Sequence, residues 1–167
     1  MTYPIQHEEF IRCLARYCSA HKKHLDDSVD TVRAPDTLYQ SSLKQLRSEL
    51  EQLQQSQQLD GYCLYVYGVV LRKLSLNELA VSVLSDSIHK CPAHWGAWLE
   101  LSSLVTNRDK LTSLERDLPD HWCKHIFLAH TNLELQLNDQ AVNIYNALTR
   151  AGLGESTYIM AQVTITI

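Results

Sequence analysis

Apolar residues three and four positions apart mark most of this chain as helix. Between His7 and Leu25, the residues Phe10, Leu14 and Tyr17 share one helical face, with Ile11 and Cys18 beside them, which predicts a first helix. The polar stretch Asp26–Asp36 contains Pro35 and reads as a loop, with a break at Ala34 because the residue before a proline avoids the α region. Asp36 is placed to cap a second helix running to about Leu59. Its stripe is Leu43, Leu46, Leu50 and Leu53, while Glu49, Glu51 and several Gln fill the other faces. A coiled coil is one reading of that stripe. It lasts only about two heptads, however, short of the three or four a coiled coil needs, and an amphipathic helix packed on its neighbour is the simpler expectation.

From Gly61 the pattern becomes periodic. Leu64, Tyr67 and Leu71 are large, Gly68 and Ala80 are small and twelve residues apart, Leu84 follows, and Pro92 closes the stretch. Small residues at Gly68 and Ala80 let two antiparallel helices approach, the large ones fill the space around them, and Pro92 stops the second helix. Ser75 and Asn77 fall in the turn between the two. Residues 61–94 thus fit one 34-residue tetratricopeptide unit. The spacing recurs at Ala129 and Ala141, with Tyr145 and Leu148 beyond and Gly152 and Gly154 ending the helix.

Gly68 and Ala129 are 61 residues apart, seven short of two full repeats, so a shortened unit must lie between them. Its first helix carries Trp95, Trp98, Leu101 and Val105, with Ser102 standing 34 residues after Gly68. RDKLTSLERDLPD leaves room for only a short second helix before Pro119. Val163 lies 34 residues after Ala129, so residues 156–167 read as the first helix of a fourth repeat, against the strand propensity of VTITI. A half repeat leaves an apolar face uncovered, which predicts a fragment of a longer solenoid or a truncated product. The expected fold is an all-α tetratricopeptide-repeat helical solenoid with an amino-terminal helical lead-in over 1–60. The repeats span 61–167, divided as 61–94, a shortened 95–121, 122–155 and a half repeat 156–167.

Composition narrows the function. The hydrophobic fraction of 45% argues against disorder, and five Gly with four Pro suit helices better than short strands. A net charge of −4 is too mild to imply nucleic acid or an anionic membrane as partner. The start MTYPIQHEEF has no secretory pattern, and no run of 18 apolar residues exists to span a membrane. Five cysteines without tight paired spacing point to free thiols in a reduced compartment.

Three stretches carry a more specific likeness: LDGYCLYVYGVVLRKL at Leu59–Leu74, HWGAWLEL at His94–Leu101 and IFLAHTNLELQL at Ile126–Leu137. With LKQLRSELEQ at Leu43–Gln52 before them, the chain from about Leu38 to Ile167 resembles the subunit-8 family of the anaphase-promoting complex, the cell-division-cycle tetratricopeptide subunits. The resemblance implies a non-catalytic scaffold subunit of a ubiquitin ligase that drives mitotic exit, working in nucleus and cytoplasm. It implies other subunits of that complex as partners and a homodimer formed through amino-terminal repeats. Carboxy-terminal repeats that hold the activator in this family are absent, so activator binding is not expected here. In such repeats the first helices line a concave groove. The phase aims Tyr65, Arg72 and Lys73 at it, with Asn107, His130 and Glu134 at later groove positions. Tyr65 has the alternative of packing between repeats. Trp98 falls in a core slot, whereas Trp95 at a repeat junction is free to face a partner.

Other chemistry is weaker. Cys13, Cys18, His21 and His24 have zinc-ligand types, but they lie within one predicted helix, and the two cysteines diverge by about 140° around it. His121 and His125 form an i, i+4 pair, with His130 following, but lack the glutamate of a metalloprotease helix. No phosphate-binding loop, nucleophile elbow or dinucleotide fingerprint occurs, so the expectation is no enzyme, no metal and no cofactor. The alternative function is a generic tetratricopeptide adaptor that docks a peptide tail. Arg72, Lys73 and Asn107 suit a carboxylate clamp, whereas His130 and Glu134 do not.

Overall fold

The computed structural model describes residues 3–30, 35–159 and 161. The described residues are helices and turns, with no strand among them. They form two compact units, Met1–Cys91 and Pro92–Ile167, whose boundary falls beside Pro92, where the first repeat ends.

In the first unit α1 spans Tyr3–Asp30 and α2 spans Pro35–Gln55, and the two pack on each other and on α3, Gly61–Lys73. Both lead-in boundaries differ from the expected ones. α1 continues through the polar segment to Asp30 and α2 opens at Pro35, so both ends of the predicted loop are helical, and the rest of it, with the predicted break at Ala34, lies outside the described residues. Pro35 opens α2 because a first helical residue needs no N–H partner, which places Asp36 inside the first turn instead of at the cap. Leu43, Leu46 and Leu50 are buried as the stripe requires, and they face the helices α2 packs against. Each contributes about 1.5–3 kcal/mol by leaving water.

α2 ends at Gln55, four residues before the expected Leu59, because Gln57 takes φ 56°. The N–H of Gln57 then bonds the Gln54 carbonyl (2.9 Å) and that of Gln58 the Leu53 carbonyl (3.0 Å), which closes the helix as a Schellman motif. Leu59 is still buried, but in the connection to α3. The Asp60 carboxylate caps α3 by accepting from the Cys63 N–H at 2.7 Å.

α4, Asn77–Lys90, lies against α3 across a three-residue turn. The contact is as close as the glycine suggested: a Cβ on Gly68 would sit 2.5 Å from Leu84 Cγ. Ala80 and Leu84 are fully buried. A second close approach joins the outer ends, where Ser87 Oγ donates to the Gly61 carbonyl at 2.6 Å and a Cβ on Gly61 would meet Cys91 Cβ at 2.7 Å. Ser75 occupies the turn at φ 60°, whereas Asn77 is already the first residue of α4.

The second unit contains α5 (Trp95–Ser102), α6 (Arg108–Asp117), α7 (Trp122–Glu134) and α8 (Asn138–Leu148). α5 has 8 residues and α6 has 10, against 13 and 14 in α3 and α4, so the seven-residue shortfall is taken from both helices of the middle repeat. Val105 consequently lies outside α5, yet Leu104 and Val105 are both buried in the loop that follows. Trp98 is fully buried, donates from Nε1 to the Pro92 carbonyl at 2.8 Å and meets the Phe127 ring at 5.4 Å. Ser102 bonds Thr131 Oγ1 of α7 at 2.9 Å, so its small side chain serves a polar contact instead of a close helix crossing.

α7 and α8 repeat the geometry of α3 and α4 down to single hydrogen bonds. Gln136, 61 residues after Ser75, also has φ 60°. Leu76 N–H bonds the Leu71 carbonyl (2.9 Å) and Leu137 N–H bonds the Asn132 carbonyl (2.8 Å), the same atoms 61 residues apart. Past α8 the backbone kinks within Thr149–Leu153, where Gly152 at φ 100° leaves the helical conformation. Gly154 keeps a right-handed conformation, so of the two expected terminators only Gly152 uses the freedom of glycine. Residues 157–159 are helical, and Ile159 is buried with Ala129, Ala141 and Tyr145. Val163 and the VTITI stretch lie outside the described residues.

Candidate interaction surface

The residues aimed at a groove fall on two units. Tyr65, Arg72 and Lys73 lie on α3, with Tyr65 and Arg72 seven positions apart and therefore on one face, and all three are half-buried. Arg72 and Lys73 occupy the last turn of α3, where cations complement the negative end of the helix dipole.

In the second unit the three later positions have distinct local duties. Asn107 stands before α6 as its cap, its carboxamide oxygen accepting from the Lys110 N–H at 2.9 Å. His130 is half-buried on α7, with the Tyr158 hydroxyl 3.4 Å from its Nδ1. Burial pulls its imidazole below the usual range, and the neighbouring Glu134 offsets this only in part. Glu134 is exposed one turn further on, at the end of α7. Burial also pushes the Tyr158 and Tyr145 phenols up.

Of the two tryptophans of α5, Trp98 fills the core slot expected of it, whereas Trp95 does not use the outward position that the junction allowed. Trp95 is half-buried against the Ala129–Tyr145 cluster and stands edge-on to Tyr158 at 6.1 Å. It is engaged inside the unit instead of facing outward. Trp122, at the start of α7, is the aromatic that stands out, 55% exposed.

On α1, Cys13 is buried, whereas Cys18 is exposed. His24 stacks on Tyr39 of α2 at 4.4 Å, and His21 lies between Tyr17 and Tyr39. The imidazoles therefore serve as flat packing groups between α1 and α2. Among the described residues no three His, Cys, Asp or Glu side chains are arranged to hold a metal ion. Burial, with Asp60 beside it, pushes the Cys63 thiol up to about 12. Among the described residues no helix is long and apolar enough to cross a membrane.

Comparison with known proteins bears on the whole chain. A family model described as anaphase promoting complex subunit 8 / Cdc23 matches residues 4–164. The human protein named cell division cycle protein 23 homolog is 42% identical over 158 residues, which cover 93% of this chain and 26% of that protein. The Dictyostelium discoideum anaphase-promoting complex subunit 8 is 41% identical over 113 residues, covering 68% of this chain and 19% of that protein. The Arabidopsis thaliana protein of the same name is 31% identical over 156 residues, 92% of this chain and 26% of that protein. This chain thus spans about a quarter of the length of its human relative.

Proposed function

The chain belongs to the anaphase promoting complex subunit 8 / Cdc23 family, and from that membership we propose that it is a non-catalytic scaffold element of the anaphase-promoting complex. In this reading it contributes helix pairs whose side chains bind other subunits of the ligase, in nucleus and cytoplasm, and it associates with a second copy of itself. The observation that carries the proposal is the identity of 42% maintained over 93% of the chain, which covers the lead-in as well as the repeats. The physical basis is preorganisation. Helix pairs closed by the same turn hydrogen bonds hold Tyr65, Arg72, His130 and Glu134 on rigid elements, so little ordering is needed when a partner arrives.

Two measurements test this. Tagged chain added to mitotic extract is expected to recover subunits of the ligase, identified by mass spectrometry; their absence, with the chain folded by circular dichroism, overturns the scaffold reading. Light scattering coupled to size exclusion is expected to give twice the chain mass at micromolar concentration. A monomer at high micromolar concentration removes self-association from the proposal.

A further inference from the structure

The shortened middle repeat leaves a cleft in the second unit, separate from the first-helix positions discussed above. It has a volume of about 330 Å³ and lies between α6 and α8. Its apolar lining is Leu111, Leu128 and Ile144, of which the first two are buried. Arg108 and Glu115 line it from α6, seven residues apart and therefore on one face. Both are exposed, and neither makes an ion pair among the described residues. Across from them stands Asn143 of α8, and Asn132 of α7 lines the cleft while only 6% exposed. One N–H of the Asn132 carboxamide is spent on the Leu128 carbonyl at 2.7 Å, which leaves the second N–H and the oxygen's remaining capacity.

We infer that this cleft holds an extended polypeptide segment bearing an acidic and a basic side chain three positions apart. Carboxamides both donate and accept, so they match a main chain whose N–H and C=O groups are unpaired. A helix has already satisfied those groups internally and gains nothing from them. The charges set the register. Arg108 and Glu115 are separated by about 10.5 Å along α6, at about 1.5 Å per residue. An extended chain of polyproline-II type covers nearly that distance in three residues at about 3.1 Å each, and its three residues per turn put the two charged side chains on one face. The bound acid lies beside Arg108, the base beside Glu115, and an apolar residue between them rests on Leu111 and Leu128. The cleft is too small for a folded domain and of the size that takes a few residues. The inference does not depend on the ligase assignment.

The test uses the 167-residue chain labelled with nitrogen-15 and an acetylated, amidated octapeptide with Glu and Lys three positions apart on a Gly, Ala and Leu background. Side-chain amide signals of Asn132 and Asn143 are expected to shift as peptide is added up to about 1 mM, the weak end of recognition. Replacing the peptide's Glu by Lys is expected to weaken the interaction roughly threefold to fivefold, as for an exposed ion pair. Arg108→Glu is expected to reverse that preference, and because the residue is exposed the variant keeps its fold. No shift at these two amides, or equal shifts with both peptides, overturns the inference. Shifts at the same amides on concentrating the chain without peptide identify a second copy as the occupant and overturn it equally.

Discussion

Gly68 shows how one missing methyl group governs a helix crossing. A Cβ there would fall 2.5 Å from Leu84 Cγ, and Leu84 is fully buried with no room to yield. Gly68→Ala is therefore expected to cost about 1–3 kcal/mol in urea unfolding, the usual range for overpacking. In the Leu84→Ala background the same change should cost much less, since the clash is gone; equal costs in both backgrounds would show that the contact is not the cause. Ser75 and Gln136 make the opposite case. Each holds a left-handed conformation that costs an L-residue about 1–2 kcal/mol. Glycine at either site is expected to stabilise by about 0.5–1 kcal/mol after its greater freedom in the unfolded chain is subtracted. Asp60→Ala removes the α3 cap and should cost about 1 kcal/mol by the same measurement.

At the scale of helices, the repeat was legible because its determinants are side-chain sizes at fixed spacings. Gly68, Ala80, Ala129 and Ala141 announce close crossings in any neighbourhood. The ends of α2 and α1 were not legible. QQSQQ contains no glycine to signal a left-handed stop, and Pro35 breaks a helix in the interior but suits its first residue. The cleft between α6 and α8 was hidden for another reason: it arises from residues that are missing from the period, and Asn132 and Asn143 carry no motif of their own. Two histidines on different stretches give these elements a pH dependence. Burial lowers His130 and His94 below the ordinary 6.5. The unfolded chain therefore takes up protons first, and stability present above pH 6.5 is lost as pH falls from there toward the folded-state values. The melting temperature at pH 5.5 should lie below that at pH 7.5. The difference should shrink in His130→Gln, and an unchanged difference would exclude this residue as its source.

For the molecule as a whole, the division at Cys91 and Pro92 places the lead-in with the first repeat and the shortened repeat with the one after it. The expected lead-in, 1–60, is thus no appendage: α1 and α2 pack on α3, Phe10 meets Tyr62 at 5.6 Å, and Lys90 Nζ reaches the Leu59 carbonyl at 2.7 Å. The proposed scaffold role rests on family membership, while the repeats supply the rigid helix pairs that such a role would use. The distribution of thiols adds a consequence of its own. Cys13 and Cys63 are sealed in the first unit and Cys123 in the second, while Cys18 is open to solvent. A thiol reagent thus finds one immediate target, the half-buried Cys91 as a slower one, and three shuttered ones, and each shutter opens only when its own unit does. Timed alkylation followed by peptide mapping would read the breathing of the two halves as separate clocks in a single tube.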